Sequence, residues 1–269
     1  MAYVDLKMTV SCGQCIGCRL ERSRQWAVRC MHEASQHSEN SFLTLTYRDL
    51  SLPEGGTLVK RDFQNFMKRL RKKYSGRKVR FFHCGEYGDS LGRPHYHALL
   101  FGLDFEDKLL HKKSNSGDDI FTSKILDSVW QLGHAYIGSV TFESAAYVAR
   151  YCLKKRTGHS ADEHYEFIDP DTGEVFNRQP EYITMSLKPG IGAGWFDNFK
   201  SDVFPNDEVI VNGLKVKPPR YYVRRLSEPE LILLRKKRLG TFNRADQTPE
   251  RLIAREAVAV AKNGLFKRS

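Results

Sequence analysis

The chain has 269 residues, of which 41% are hydrophobic and 28% charged, so it is too apolar for a disordered protein and long enough to bury a sizeable core. Its sequence has no apolar run near the ~18 residues of a membrane span and no N-terminal secretory stretch, and we expect its six cysteines to be reduced in a cytoplasm. The net charge of +11 points to a polyanionic partner, most simply nucleic acid.

The positive charge is concentrated in two segments. Residues 60–80 contain ten basic residues and one acidic residue, and residues 219–269 contain thirteen basic and five acidic residues. Two solvated helix faces would explain them, but segments this unbalanced favour phosphate contact. The candidate DNA-binding residues are Arg69, Lys72, Lys73 and Arg93.

Apolar periodicity and turn residues predict the elements of the N-terminal half in chain order. They are a helix over 19–37, a strand over 42–47, an amphipathic helix over 60–74, and strands over 79–87 and 95–102 joined by the turn-rich residues 88–92. Residues 103–116 are polar and predict an inserted loop.

The C-terminal half continues with both kinds of element. Its predictions are a helix over 122–132, a strand over 135–141, a helix over 144–155, a turn at 169–173, a hairpin over 209–216 around Asn212-Gly213, and a helix from 228 that breaks at 240 and restarts after 248–249. Interspersed strands and helices predict an α+β fold, a central antiparallel β-sheet flanked by helices with a basic helical C-terminal tail. We expect residues 1–40, the cysteine cluster and first helix, to belong to the domain of residues 41–226, and residues 227–269 to form the tail.

Two histidines on a predicted strand carry the sharpest local signal, within the run RPHYHALLFG. Residues i and i+2 of a strand point to the same face, so His95 and His97 project side by side and can ligate one metal ion. The alternative is a pair of hydrogen-bonded sheet histidines.

Glu86 lies near the end of the neighbouring predicted strand. In an antiparallel pair it can approach His97 or His95 and complete a set of two histidines and one carboxylate; the alternative is a surface glutamate at a strand end. His83 is a rival ligand, but its parity places it on the opposite face from Glu86. The first basic segment ends where this strand begins, so we expect phosphate attraction and phosphate chemistry to be neighbours.

A second signal is the pair Tyr147 and Tyr151, which are four residues apart and therefore share one helix face. Lys155 extends this face and Lys154 lies beside it, at a helix end where phosphates could bind. The alternative is an aromatic core stripe. With the histidines, the pair suggests one chemistry: a metal polarises a phosphate, and a tyrosine hydroxyl attacks phosphorus to give a phosphotyrosine and a free 3′-OH.

These motifs resemble those of the HUH endonucleases. Their wording, FLTLTY, then CGEYGxxxGRPHYHALLFG, then AAYVARYCLKK, resembles the replication initiators of the microviruses, small single-stranded DNA bacteriophages. The resemblance is close from about Phe42 to Lys155. It is weaker over the N-terminal cysteines and over the segments KPGIG (188–192) and PPRYY (218–222).

The resemblance implies a rolling-circle replication initiator that nicks and rejoins single-stranded or stem-loop origin DNA. It places a divalent metal, Mg or Mn, on His95 and His97, and makes Tyr147 and Tyr151 alternating nucleophiles. Glu86 would be the third ligand, a position that varies in type and strand. The sequence has no Gly-x-x-x-x-Gly-Lys-[Ser/Thr] motif, so we expect no ATPase activity and expect a host helicase and polymerase as partners in the cytoplasm of a bacterial host.

The N-terminal cysteines form a separate signal. A structural zinc ion could use several of Cys12, Cys15, Cys18 and Cys30, or these residues pack as reduced thiols. Two other functions therefore stay open: a non-catalytic nucleic-acid-binding protein with a zinc knuckle, and an HUH transposase or relaxase.

Overall fold

The computed structural model describes residues 13, 15–89, 91–114, 116–151, 160–169, 172–241, 245 and 248–265. At residues 151, 160, 162 and 262–265 it describes the backbone alone. Cys12, Lys154 and Lys155 lie outside the described residues. None of the described helices is both long and apolar enough to cross a membrane.

The strands alternate with helices along the whole described chain. They are β1 (Asn40–Thr46), β2 (Arg80–Tyr87), β3 (Pro94–Phe101), β4 (Leu109–Lys113), β5 (Asp119–Thr122), β6 (Ala135–Gly138), β7 (Glu166–Ile168), β8 (Val175–Asn177), β9 (Tyr182–Met185), β10 (Val209–Val211) and β11 (Leu214–Val216). Within the described residues, an antiparallel sheet of seven strands has the order β4-β5-β6-β1-β3-β2-β9, with β7-β8 and β10-β11 as separate hairpins. The predicted α+β fold is confirmed.

The helices lie on both faces of this sheet. They are α1 (Ile16–Ala34), α2 (Lys60–Lys73), α3 (Lys124–Trp130), α4 (Phe142–Tyr151), α5 (Ser160–Tyr165), α6 (Ala193–Val203), α7 (Arg220–Val223), α8 (Glu228–Gly240) and α9 (Pro249–Leu265). Ser227 and Glu230 start α8 with reciprocal side-chain caps to the backbone. The predicted break after residue 240 and restart at residue 249 are confirmed.

Alternation along β3 divides the core into two layers. Successive side chains of a strand point to opposite faces, so Tyr96 and Leu100 pack with Phe66 of α2 on one face, together with α3. On the other face, Leu99 packs with Ala149 of α4 and with the buried residues of α1. The central strands are therefore covered by helices on both sides, which is why their sequences are apolar throughout.

The predicted loop over 103–116 is wrong in part, because β4 occupies residues 109–113 and pairs with β5. All five side chains of β4 are exposed, so the strand carries no buried alternation that the sequence could reveal. Sequence analysis also missed β9, a half-buried strand at the other edge of the sheet. The hairpin at 209–216 is confirmed, with both Asn212 and Gly213 at positive φ, as its tight turn requires.

The C-terminal elements pack on the body through a small cluster of their own. Leu226 and Leu234 are buried there against Phe196 and Tyr222. The expected boundary between the domain and the tail at residue 226 stays a prediction.

A buried ion pair ties α1 to the sheet and to the loop before α6. The Arg80 guanidinium donates to the Glu33 carboxylate, and both side chains are only 7% exposed. The other Glu33 oxygen accepts from the Gly192 N–H at 2.7 Å, and Arg80 also donates to the Pro189 carbonyl at 2.8 Å. Arg80, although part of the first basic segment, is therefore used inside the fold.

Removing Glu33 should strand the Arg80 charge in the core. We expect Glu33→Ala to lower the free energy of unfolding by about 3–5 kcal/mol, measured by urea denaturation. The matched control is Glu39→Ala, which removes the partner of Arg77 in an exposed pair and should cost less than about 1 kcal/mol. Equal losses in the two variants would contradict this role for the buried pair.

Candidate metal centre

The β2–β3 pairing brings the predicted ligands together. Glu86 lies opposite His95, and Cys84 lies opposite His97, so the three candidate ligands share one face of the sheet. The Nε2 atoms of His95 and His97 lie 2.8 and 2.9 Å from the same Glu86 oxygen, Oε1. The sequence left open which histidine Glu86 would approach, and the structure shows that it approaches both.

The outer nitrogen of each imidazole is held by a neighbour. The Nδ1 atom of His97 lies 3.0 Å from the Thr44 hydroxyl on β1, and Nδ1 of His95 lies 3.2 Å from the Arg93 carbonyl. A carbonyl only accepts, so the His95 proton sits on Nδ1 and the lone pair of Nε2 faces Glu86. Such contacts from the outer nitrogen are the ones that orient metal-ligating histidines.

The centre is open on one side only. The side chains of Glu86 and His97 are 1% and 6% exposed, whereas that of His95 is 18% exposed and forms the rim. A buried carboxylate needs a positive partner, and two convergent imidazole nitrogens complete a donor set suited to a divalent cation. Among the described residues, these three are the ones whose donor atoms, all within 4.8 Å of one another, could hold a metal ion.

His83 belongs to the other layer of the core, as its parity predicts. Its ring stacks on Phe63 with centroids 3.4 Å apart, and its Nδ1 lies 2.8 Å from the Thr184 hydroxyl. Burial lowers the pKa of His83 well below its ordinary value, so the ring is neutral at physiological pH. His83 is not a ligand of this centre.

Helix α4 places Tyr147 against the centre. The Tyr147 ring meets the His97 ring edge-on, with centroids 5.1 Å apart, and also contacts Phe42 of β1 edge-on at 6.5 Å. The Ser23 hydroxyl of α1 donates to the Ala146 carbonyl at 2.9 Å, which fixes the helix turn beside Tyr147. Tyr151 is the last residue of α4, one turn further along, and its side chain is not described.

The first basic segment lies on the other face of the sheet. Phe63, Phe66, Met67 and Leu70 of α2 are buried in the layer opposite the metal centre. The expected adjacency of phosphate attraction and phosphate chemistry is therefore wrong: α2 is next to β2 in the sequence, but the sheet separates its basic surface from Glu86. Lys72 and Lys73 are exposed on that far surface.

Two of the predicted DNA-binding arginines have partners inside the protein. Arg69 donates to the Val129 and Trp130 carbonyls at 2.7 and 3.0 Å, at the end of α3. Arg93 donates to Asp49 at 2.7 Å and to the Tyr47 carbonyl at 3.0 Å, and its own carbonyl holds His95. Both guanidinium groups thus stabilise the fold, and their contact with DNA stays a prediction.

The cysteines predicted to bind zinc do not form one site in the described part of the chain. Cys18 and Cys30 lie on the same helix, 12 residues and therefore about 18 Å apart, so one ion cannot contact both. Cys30 is fully buried among apolar side chains, and burial raises the pKa of its thiol. Including Cys30 in the set is wrong, and a role for Cys15 and Cys18 with Cys12 stays a prediction.

Sequence analysis missed Thr44 and Phe42, which line the centre from β1. The alternation in FLTLTY places both on one strand face, but only the pairing of β1 with β3 brings Thr44 opposite His97. A hydroxyl at that register was the available signal.

Thr44 gives a test of the centre that leaves its ligands intact. We expect Thr44→Val to weaken Mn²⁺ binding by about 10- to 100-fold, because the outer nitrogen of His97 loses its partner. Isothermal titration calorimetry measures this, with Thr46→Val, two residues along the same strand, as the control. Equal affinities in the two variants would rule out an orienting role for Thr44.

Comparison with known proteins places this centre in a family. Residues 40–156, which contain the three ligands and both tyrosines, match the family model described as replication-associated protein ORF2. The chain is 35% identical over 219 residues to replication-associated protein VP4 of Bdellovibrio phage phiMH2K, a match covering 78% of this chain and 65% of that protein. It is 33% identical over 230 residues to replication-associated protein ORF2 of Spiroplasma virus 4, covering 81% of this chain and 68% of that protein. The chain belongs to this family.

A third replication-associated protein, ORF4 of Chlamydia phage 1, is 29% identical over 222 residues, covering 78% of this chain and 52% of that protein. The chain thus spans between about half and two thirds of the length of these relatives. No solved structure matches it. The resemblance to the microvirus replication initiators, predicted from the motifs, is confirmed.

Proposed function

We propose that this replication-associated protein starts rolling-circle replication by nicking single-stranded or stem-loop origin DNA and later rejoining strands. The observation that carries the proposal is the contact of Tyr147 with His97, within a centre formed by Glu86, His95 and His97. A tyrosine beside a metal-ligand set is the combination that phosphoryl transfer to a tyrosine needs.

The three ligands could hold a divalent ion such as Mg²⁺ or Mn²⁺, which when bound would supply Lewis-acid polarisation of the scissile phosphate. The protein's own residues prepare the centre for this. Thr44 and the Arg93 carbonyl hold the imidazoles with Nε2 inward, and the surrounding strands exclude water from Glu86. DNA approaches from the rim that His95 forms.

The chemical step is an exchange of phosphate esters. The tyrosine oxygen of Tyr147 or Tyr151 forms a bond to phosphorus while the bond from phosphorus to the 3′ oxygen breaks. The tyrosine gives up its proton and the 3′ oxygen gains one, so the products are a 5′-phosphotyrosine and a free 3′-OH. The bond energy is kept in the phosphotyrosine, so the reverse attack by a 3′-OH rejoins the strand without ATP.

Two tyrosines allow successive cuts. Tyr147 and Tyr151 are four residues apart on α4, which places them on one helix face about 6 Å apart along the axis. One tyrosine can hold the 5′ end while the other cuts again after a round of synthesis. Because the sequence has no phosphate-binding loop of an ATPase, we expect a host helicase to unwind the duplex and a host polymerase to extend the 3′-OH, in the cytoplasm of the bacterial host.

The test is a denaturing gel with end-labelled single-stranded DNA. We expect a covalent protein–DNA adduct with Mg²⁺ or Mn²⁺ and none with EDTA. Tight binding without adduct in any metal would instead indicate a non-catalytic nucleic-acid-binding protein. Transposon ends or a conjugative transfer origin as the preferred substrate would indicate a transposase or a relaxase.

A further inference from the structure

A cleft of about 230 Å³ lies between α1 and α7, on the face of the sheet that carries the metal centre. Its lining includes no acidic side chain among the described residues. The groups that define it are Arg22, Arg29, Arg220 and Arg224, with the rings of Trp26 and Tyr221.

Arg29 is held rigidly at the base of this arginine cleft. Its guanidinium lies between two rings, 4.0 Å from the centroid of Trp26 and 3.9 Å from that of Tyr221. Its Nε donates to the Ile191 carbonyl at 3.0 Å. A guanidinium fixed by stacking loses little conformational freedom when an anion binds, which favours recognition of phosphate.

The α7 side of the cleft is also held in position by specific contacts. The Gln25 side chain accepts from the Arg220 N–H at 3.0 Å, and Arg220 and Arg224 lie four residues apart on one helical turn, both exposed. Gly190 leaves the space that Tyr221 fills, since a Cβ there would lie 2.6 Å from the tyrosine hydroxyl. The cleft thus joins the segments 188–192 and 218–222, which the metal centre does not use.

The lining selects an anion of the size of a phosphodiester. Four guanidinium groups favour phosphate, and the nearby carboxylate of Glu21 is already bound by Arg24 and Gln25. The volume is below the ~300 Å³ at which pockets for whole drug-sized ligands begin, so a complete nucleoside triphosphate is too large. A backbone phosphate of a nucleic-acid strand fits.

The cleft is within reach of a strand bound at the metal centre. Trp26 packs on Phe82, with ring centroids 4.8 Å apart, and Phe82 precedes Glu86 by four residues on β2, about 13 Å along the strand. A few nucleotides of single-stranded DNA span such a distance. The basic surface of α2, by contrast, lies on the far side of the sheet.

We propose that the arginine cleft binds a backbone phosphate of the DNA strand whose scissile phosphate lies at the metal centre. The choice of DNA rests on the proposed function, whereas the anion site rests on the cleft alone. The cleft then fixes the path of the strand over α1, and so helps to set which phosphate is cut.

The test measures binding of the full chain to a fluorescent single-stranded oligonucleotide in EDTA, over a range of salt concentrations. We expect Arg220→Gln/Arg224→Gln to weaken binding about 10-fold and to reduce the slope of log K against log salt by about 0.7–1.4, one or two phosphate contacts. Arg220→Lys/Arg224→Lys keeps the charge and should keep the slope. The matched control is Lys112→Gln/Lys124→Gln, which removes two exposed charges near the β4–β5 edge.

Competition separates the possible sources of the phosphate. Single-stranded DNA should displace the probe at far lower concentration than inorganic phosphate or dATP. An unchanged slope in the glutamine variant, an equal loss in the control, or tighter binding of dATP than of the oligonucleotide would each overturn the proposal. Because EDTA prevents nicking, a failure of the proposed endonuclease activity leaves this outcome unaffected and is seen separately on the gel.

Discussion

Replacing both His95 and His97 with alanine should abolish metal-dependent nicking, with a loss on the order of 1,000-fold or more in rate. Both nitrogens that face Glu86 disappear, so two of the three donor groups of the centre are lost together. Mn²⁺ binding measured by calorimetry should fall in parallel, by more than the loss expected for Thr44→Val.

The matched control for this variant is His111→Ala, since His111 is exposed on β4. It should leave both nicking and Mn²⁺ binding unchanged. Thermal unfolding of all variants checks that the sheet remains intact. Nicking retained in the double alanine variant would disprove the assignment of the centre.

The second large effect concerns the nucleophiles. We expect Tyr147→Phe/Tyr151→Phe to remove the covalent adduct completely, because phenylalanine keeps the ring that packs on His97 but has no oxygen to attack phosphorus. Mn²⁺ affinity should be unchanged, which separates loss of the nucleophile from damage to the centre.

Each single variant should still form some adduct, because the other tyrosine remains on the same helix face. Tyr136→Phe on β6 is the control and should behave as the unaltered protein. Full adduct formation by the double variant would assign the nucleophile to another residue.

The metal centre could be predicted from the sequence because its geometry is local. A spacing of two on a strand fixes the common face of His95 and His97, and the short turn of the hairpin brings Glu86 back beside them. The same parity argument correctly placed His83 in the other layer. These inferences need only strand periodicity and antiparallel pairing.

Long-range placement could not be predicted in this way. Nothing local to α2 says which face of the sheet it covers, so the basic segment was expected beside the centre and lies across from it. Arg69 has the appearance of a surface charge until α3, some 60 residues later, presents its carbonyls. The arginine cleft depends in the same way on contacts between α1 and α7, nearly 200 residues apart.

The unshifted pairing of β2 with β3 limits how this protein can vary. Its hairpin connection can change in length without moving any ligand, since residues 88–93 lie outside the paired register. One residue inserted between Cys84 and Glu86 would instead exchange the two faces of the strand beyond it, turning the glutamate into the apolar layer and a core side chain towards the DNA. Sequence drift in this region is therefore confined to the turn, and the strands on either side act as a fixed ruler for the chemistry.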